Sequence, residues 1–387
     1  MLRLLHTADW QIGRTYPRFG ADDAAFLAEA RLETVERIAR LAEDQRVDAV
    51  LVAGDVFDAQ TVSDRTVRRL FNALGGFRGR WLMIPGNHDA ALATGVWTRA
   101  RQLGCVPENV HTLLHPGTTV LDEIGCVVLA APLTQRQTHS DLTGWFDDEA
   151  TPAGLVRIGL AHGSVGGILP GSIDASNPIA PDRAMTARLD YLALGDWHGT
   201  RRIDSRTWYS GTPEPDRFKG NDAGNVLLVD IAEQGAAPAV EVISVAAYSW
   251  QEWERQIGVG TDLDNLDRHL CLLAPRDVVA LRLSGQVDLE QQRRVRDLLG
   301  VAQGRVRALE ADLSRLRLRP TDADIAALAA DGYVGEVLAE LREAAGGGQT
   351  RQGAGTAEAG VADADEHAQV AAEALNILAS MLLERQQ

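Results

Sequence analysis

The sequence predicts an α/β protein, a layered sheet flanked by helices, followed by a small α+β segment and a terminal helix. Three observations predict it. Apolar runs of strand length alternate with segments of helical period through the first part of the chain. The first three runs each end in a polar cluster, as expected where strands feed a functional edge. Beyond them the pattern changes to closely spaced short apolar runs, as in further strands.

Taken in order, Leu2 to His6 reads as a buried strand that runs into Thr7-Ala8-Asp9. Ala21 to Gln45 has helical period, with Phe26, Ala30, Val35, Ile38 and Leu41 on one side. Ala49 to Ala53 is a strand ending in Gly54-Asp55, and Ser63 to Leu74 a second amphipathic helix. Arg80 to Ile84 is a strand that ends in Pro85-Gly86-Asn87-His88-Asp89. Cys126 to Ala131, Val156 to Ala161, Tyr191 to Leu194, Asn225 to Ile231 and Val240 to Val245 follow as strands. Val278 to Leu283 is a strand, and Asp288 to Leu299 a helix with Arg293, Arg294 and Arg296 on one face. Val306 to Leu318 and Asp322 to Ala330 complete the α+β segment, interrupted by Pro320. The expected boundaries are a first domain over 1–246, an accessory domain over 247–343, a linker over 344–364 rich in Gly, Ala, Thr and Glu, and a helix over 365–387. That helix carries Ala371, Leu375, Leu378 and Leu382 on one stripe, with Val370, Ala374, Ile377 and Met381 beside it.

The 387 residues exceed one ordinary domain, and a hydrophobic content of 45% supplies a sizeable core. Net charge is −16, so the surface as a whole does not attract nucleic acid; contact with DNA would need local basic patches or metal ions. Cys105, Cys126 and Cys271 are odd in number and widely spaced, which argues against a disulfide framework or a thiolate zinc site. The start lacks a basic segment followed by a long apolar one, and no stretch reaches the roughly 18 apolar residues of a membrane span; a cytoplasmic location is expected. Lys219 is the sole lysine, a composition bias without mechanistic weight.

Five clusters carry the chemistry: Asp9-Trp10-Gln11, Gly54-Asp55-Val56-Phe57-Asp58, Gly86-Asn87-His88-Asp89, Ala161-His162-Gly163 and Gly195-Asp196-Trp197-His198. Four follow an apolar run directly, and the third does so through Pro85. Carboxylate and amide oxygens suit hard divalent ions, and imidazole suits transition ions. The mixture fits Mn²⁺ or Fe²⁺ better than a thiolate zinc site. Any one cluster alone is more often a turn; all five in order, each after a strand, are hard to explain as structure alone.

These clusters resemble the signature motifs of the calcineurin-like metallophosphoesterases. His6-Thr7-Ala8-Asp9 and Trp208-Tyr209-Ser210-Gly211-Thr212-Pro213 with Phe218 are similar to the SbcD-type DNA-repair exonucleases within that superfamily. The resemblance implies a four-layer sandwich, two mixed sheets flanked by helices, with a small capping domain and a C-terminal helix. It also implies two divalent ions, with Mn²⁺ preferred and Mg²⁺ or Fe²⁺ as options. Asp9, Gln11, Asp55 and His198 would hold the first; Asp55, Asn87, His162 and Asp196 the second. His88 would be the catalytic histidine and Asp89 would orient it. Two ions about 3.5–4 Å apart would clamp a phosphodiester and acidify a water. The partners implied are DNA, an SMC-like coiled-coil ATPase met by the terminal helix, and a second copy of the chain in a homodimer.

Two positions depart from the family's pattern. It has histidine where this chain has Gln11 and Asp196, a change that hardens the centre towards Mn²⁺ or Mg²⁺ and can weaken one site. In the alternative reading Gln11 is not a ligand and activity is reduced or lost. Arg14, Trp10, Trp197 and Arg217 are candidate substrate contacts. Trp10 and Trp197 can stack on a base or serve as packing aromatics. Arg201, Arg202, Arg217 and Lys219 can steer phosphate or simply be solvated. The function expected is a metal-dependent DNA nuclease in double-strand-break repair. The alternatives are a small-molecule phosphodiesterase or nucleotidase on the same fold and a structural subunit that binds DNA ends.

Overall fold

The computed structural model describes residues 1–167, 176–218, 220–319, 333–346 and 361–384. These form two compact units, Met1–Gln251 and Glu252–Gln387.

In the first unit the strands are β1 (Leu2–Thr7), β2 (Ala49–Ala53), β3 (Arg80–Ile84), β4 (Val110–Thr112), β5 (Gly117–Leu121), β6 (Cys126–Ala131) and β7 (Val156–His162). Then come β8 (Ser164–Val165), β9 (Pro178–Ile179), β10 (Tyr191–Gly195), β11 (Arg201–Arg202), β12 (Thr207–Tyr209), β13 (Asn225–Ile231) and β14 (Ala239–Ser244). Its helices are α1 (Ala21–Asp44), α2 (Asp64–Ala73), α3 (Val96–Gln102) and α4 (Arg183–Thr186). One sheet has the order β14-β13-β1-β2-β3-β4 and the other β11-β12-β10-β7-β6-β5. In each, a parallel centre is finished by antiparallel strands, β13 and β14 in the first and β5 and β11 in the second.

Side chains alternate between the faces of a strand, so a strand covered on both sides reads as continuously apolar. Leu4 and Leu51 of the first sheet meet Val128, Ile158 and Tyr191 of the second in the middle of the sandwich. Their neighbours Leu5, Val50 and Val52 turn outward under Val35 and Ile38 of α1 and Val67, Leu70 and Phe71 of α2. Val127 and Leu129 turn outward from the second sheet under Phe146 and Ala184. The layers are therefore helix, sheet, sheet and a thinner helical cover. Each Leu or Val buried this way contributes about 1.5–3 kcal/mol.

Helix α2 is started by Ser63, whose hydroxyl accepts the Thr66 N–H at 3.1 Å. Helix α1 opens with Asp22 and Asp23, favourable at a helix N-terminus. Phe26, expected on the inner side of α1, is 51% exposed, and Leu27 takes the inward position.

The second unit contains α5 (Gly260–Cys271), β16 (Asp277–Val287), α6 (Leu289–Gln303), β17 (Ala308–Leu318), α7 (Tyr333–Gly346) and α8 (Val361–Glu384); β15 (Ser249–Ile257) leads into it. Strands β15, β16 and β17 form a sheet in that order. Leu263, Leu266 and Leu270 of α5 and Val295 and Leu299 of α6 pack with Val279, Leu281 and Leu283 of β16. Asp288 caps α6 reciprocally with Gln291. On the expected basic face, Arg294 pairs with Asp264 at 2.5 Å, while Arg293 is exposed. The helix expected over Asp322 to Ala330 lies outside the described residues. The ends of the expected linker, 344–346 and 361–364, are helical, and the rest of it lies outside the described residues. The terminal helix starts at Val361 and packs Leu375, Leu378 and Leu382 against Val334, Leu338 and Leu341 of α7. Its neighbouring stripe stays open, with Val370, Ile377 and Met381 62%, 58% and 59% exposed. Among the described residues no helix is long and apolar enough to cross a membrane.

Candidate metal centre

The parallel strands β1, β2 and β3 of one sheet, and β7 and β10 of the other, deliver all five polar clusters from their C-terminal ends. The two sheets are tied together there. His162 Nδ1 lies 2.8 Å from the Ala53 carbonyl, and the Asp196 N–H donates to the Asp9 carboxylate at 3.1 and 3.2 Å. The Asp9 N–H donates to the Gly54 carbonyl at 3.0 Å, and the Gln11 N–H to that of Asp55 at 2.9 Å.

Close approach dictates the backbone. Asp9, Gln11, Asp55 and Asp196 all have positive φ, of 56°, 45°, 52° and 106°. Side-chain-bearing residues take such angles at a cost of order 1–3 kcal/mol each, met only where the surrounding structure over-determines them. A Cβ at Gly86 would sit 2.2 Å from Asp55 Oδ1, and one at Gly54 would sit 2.3 Å from His162 Nδ1. Neither position admits a side chain.

Asp9, Asp55 and His162 each offer a ligand atom, all within 4.8 Å of one another and all buried. His162 Nε2 is 3.6 Å from Asp55 Oδ1 and 3.9 Å from Asp196 Oδ1. With Nδ1–H given to Ala53, this is the nitrogen whose lone pair would meet a cation once its proton is displaced. Asn87 Oδ1 lies 3.1 Å from it, and 3.1 and 3.0 Å from the two Asp55 oxygens. Turned over, the Asn87 amide would donate to both Asp55 oxygens and to His162 Nε2; presenting its oxygen, it sets one acceptor against the Asp55 carboxylate, an arrangement that a cation relieves. The spacing matches the roughly 3 Å edge of an octahedron around an ion with ligands at about 2.1 Å. A divalent cation satisfies this donor set, so the residues present fit the metal.

The electrostatics agree. Burial, reinforced by the Asp55 and Asp196 carboxylates against the pull of His198 and His162, pushes Asp9 up to about 6. Asp196 is raised as well, chiefly by burial. Burial would lower His162, yet Asp55, Asp9 and Asp196 hold it up at about 9. Negative charge is concentrated where water cannot screen it.

The remaining expected residues fall into place differently. His88 is at the site: its N–H donates to Asp55 Oδ1 at 2.9 Å, and its side chain is 31% exposed. The Asp89 carboxyl is not the hydrogen-bond partner of the His88 ring. His88 Nδ1 bonds the Asp58 carbonyl at 2.7 Å. The buried Asp89 carboxyl instead accepts the N–H groups of Gly86 at 2.7 Å and Phe57 at 3.1 Å, clamping two ligand loops together. Gln11 does not present its amide oxygen to the centre. That oxygen accepts from Arg14 at 2.6 Å, and the amide nitrogen faces His198 Nε2 at 3.2 Å. Trp10 is 1% exposed, packed edge-on against Trp81 with its indole N–H on Thr7, so it has no face for a base. Trp197 is half-buried, with the Arg201 guanidinium 5.9 Å from its ring centre. Lys219 lies outside the described residues.

Sequence reasoning missed Asp216. Its side chain is 1% exposed and meets His198 Nδ1 at 3.3 Å, Arg217 at 2.9 and 2.7 Å, and Arg14 at 3.2 Å. Two of the candidate substrate contacts, Arg14 and Arg217, are thus engaged by one carboxylate. The signal available was its neighbour Arg217, just beyond the Trp208–Pro213 segment. Also missed was Arg31, buried in α1, which donates to the Trp10 carbonyl at 2.7 Å and the Tyr16 hydroxyl at 2.8 Å and so braces the loop that carries Asp9 and Gln11.

The family model of the calcineurin-like phosphoesterases matches residues 2–199. The chain belongs to that family. This phosphoesterase is also similar, at 30% identity, to the SbcD component of the SbcCD nuclease of Rhodobacter capsulatus, over 61% of this chain and 68% of that one. It is 24% identical to the SbcD component of the same nuclease from Bacillus subtilis, over 76% and 83% of the two chains. Similarity at 22% identity extends to the DNA double-strand break repair protein Mre11 of Methanosarcina acetivorans, over 60% of this chain and 37% of that one. The first of these similarities places the phosphoesterase with the SbcD-type chains.

Proposed function

We propose that this phosphoesterase is the metal-dependent nuclease subunit of an SbcD-type complex, hydrolysing DNA phosphodiesters in double-strand-break repair in the cytoplasm. The observation that carries the reading is the convergence of Asp9, Asp55, Asn87, His162 and Asp196 in a chain that aligns with a nuclease subunit well beyond the residues of the site. Divalent ions, Mn²⁺ in our reading, would polarise the phosphate and lower the pKa of a water. Asp9, Asp55, Asn87, His162, Asp196 and His198 would hold them.

His88 is the group left for proton transfer. Its Nδ1 is committed to the Asp58 carbonyl, which fixes the ring and leaves Nε2 free to donate to a phosphate or leaving oxygen when protonated. Asp216 fixes His198 in the same manner, and Arg14 and Arg217 bring positive charge to the rim despite the chain's net charge of −16. The partner is a coiled-coil SMC-like ATPase, met by the open stripe of α8 at Val370, Ile377 and Met381; a helix with an unpaired apolar stripe suits a helical groove. We take the complex to contain a homodimer of this chain.

The test is Mn²⁺-dependent cleavage of linear DNA by the wild type, His88→Ala and Asp55→Ala. Cleavage by the wild type and its loss in both variants is expected. No cleavage by the wild type with its ATPase partner present, together with turnover of a chromogenic phosphodiester, would replace the nuclease reading by a small-substrate one.

A further inference from the structure

One face of α1 is polar although it is buried. Arg31 and Thr34 lie on it, 2% and 0% exposed, with Arg37 three residues further on. Thr34 Oγ1 meets Glu214 at 2.7 Å, and Arg37 donates to the Val245 carbonyl at 2.9 Å. Arg31 reaches further. Its Nε donates to the Tyr16 hydroxyl at 2.8 Å, and its Nη1 to the Trp10 carbonyl at 2.7 Å and the Thr212 hydroxyl at 3.4 Å. These acceptors are all neutral, and Asp216 and Glu214 attract the guanidinium only through space. Its Nη2 has no hydrogen-bond partner among the described residues. Burying a cation in this way is costly, and an apolar side chain of similar length would spare the cost. Packing alone does not account for Arg31; what it holds does. The Trp10 peptide stands between Asp9 and Gln11, both at positive φ. The N–H groups of Asp9 and Gln11 are engaged by the Gly54 and Asp55 carbonyls, and the Trp10 carbonyl is held by Arg31. On the other arm, the Thr212 hydroxyl donates to the Glu214 carbonyl at 3.0 Å, which turns its lone pairs towards Arg31. The Thr212 N–H donates to the His198 carbonyl at 3.1 Å. Gly211 lies so close that a Cβ there would sit 2.6 Å from the Gly199 carbonyl carbon and 2.9 Å from the His198 oxygen. Thr212 and His198 are therefore held as one piece. Asp9 follows β1 of one sheet and His198 follows β10 of the other, and Arg31 spans the two.

We propose that Arg31 is a positioning residue of the metal centre. By bonding the Trp10 carbonyl and the Thr212 hydroxyl at once, it sets the separation of Asp9 and His198, two ligands supplied by different sheets. It touches neither metal nor substrate and acts through these two ligands. The inference rests on the metal-dependent reading above and deepens it. It makes a helix residue outside all five clusters a determinant of metal affinity.

The experiment is a Mn²⁺ titration of the full chain, stripped of metal with a chelator, with free ion read from its solution EPR signal. The wild type is compared with Arg31→Met, Arg31→Lys and Thr34→Val. Thermal unfolding of each metal-free protein first shows that it is folded at the assay temperature. Thr34→Val removes a bond from the same face of α1 to the same loop but leaves both Arg31 contacts in place, so it reports lost support without lost positioning. Arg31→Met is expected to weaken Mn²⁺ binding by about 10–100-fold, and Thr34→Val to leave it within about twofold of the wild type. Arg31→Lys keeps the charge but has one nitrogen where the fork spans two oxygens. It is expected to weaken binding by a smaller factor, and it carries the test should Arg31→Met not fold. Wild-type affinity in Arg31→Met, or in Arg31→Lys where that variant alone folds, overturns the inference. So does an equal loss in Arg31→Met and Thr34→Val, which would mark a general effect of loosening α1. In both cases a wild type that binds Mn²⁺ and cleaves DNA leaves the metal-dependent nuclease reading standing. No Mn²⁺ bound by the wild type overturns the inference and that reading together.

Discussion

Asp89→Ala separates two roles for one carboxylate. If Asp89 acts on His88, its loss removes activity and leaves the fold intact. The geometry gives it another role, since two buried N–H groups, those of Gly86 and Phe57, end on its oxygens at 2.7 and 3.1 Å. Alanine leaves both without an acceptor, at about 1–3 kcal/mol each. Against that stands the cost of burying the acid, which pushes Asp89 up to about 7. We therefore expect a net loss of about 2–4 kcal/mol, a large part of a typical domain's stability. The measurement is urea unfolding of the metal-free protein followed by tryptophan fluorescence, since Trp81 and Trp97 lie in the adjacent core. A pH series adds a second reading. An acid whose folded pKa is raised contributes stability below its unfolded value near 4 and loses it as pH rises through about 7, so Asp89→Asn should gain on the wild type between pH 5 and 8. A variant Asp89→Ala as stable as the wild type but inactive would refute the clamp and restore Asp89 as the partner of His88.

Asp216→Asn should cost about 1–3 kcal/mol at pH 7; the figure is kept low because the Arg14 and Arg217 side chains are 25% and 37% exposed. Burial would raise this acid, but hydrogen bonds from His198 and Arg217 hold it well below the usual carboxylate range, so its contribution is present above about pH 4 and fades as pH falls. Denaturation of both proteins at pH 7 and pH 3 checks this; an equal gap at the two pH values would count against it. Burial lowers His6 to about 3, and its neutral ring bonds Tyr191 at 2.9 Å and the Leu194 carbonyl at 3.1 Å. A depressed pKa gives stability that is present above about 6.5 and lost as pH falls, at about 1.4 kcal/mol per unit. Between pH 7 and 5 the wild type should therefore lose about 2 kcal/mol more than His6→Gln; parallel curves would place His6 in contact with water.

The strands were legible because burial on both faces leaves a plain mark. Leu4-Leu5, Val50-Leu51-Val52 and Val127-Val128-Leu129 have no polar residue to set a period, and only a sandwich with an outer cover buries all of them. The pairing order was not legible: β13 joins β1 across 217 residues or more of intervening chain, and no local feature of Asn225–Ile231 announces it. Phe26 misled for a related reason. Period assigns a face to a helix, but Phe26 and Leu27 are one residue apart, and packing against the sheet chose Leu27.

The metal centre was legible at the level of residue type and misleading at the level of direction. Carboxylates and imidazoles after strand ends identify a cation site, because nothing else accommodates so many acceptors in one buried place. Which atom each side chain turns inward depends on neighbours remote in sequence. Gln11 looks like a ligand until Arg14 claims its oxygen, and Asp89 looks like a partner for His88 until two backbone N–H groups claim its carboxylate. His88 is met instead by a backbone carbonyl, which a sequence cannot distinguish from any other. Asp216 went unread because it is not a ligand type in a ligand motif; its part is to hold His198 and two arginines together. Gln11 is therefore one member of a bonded set with Arg14 and Asp216. With glutamine at position 11, an arginine at 14 has an oxygen to hold and a carboxylate at 216 to rest on. With histidine at position 11, the same arginine would face a second imidazole at the rim of the centre. Restoring histidine at position 11 therefore tests the Arg14 and Asp216 positions as much as the metal.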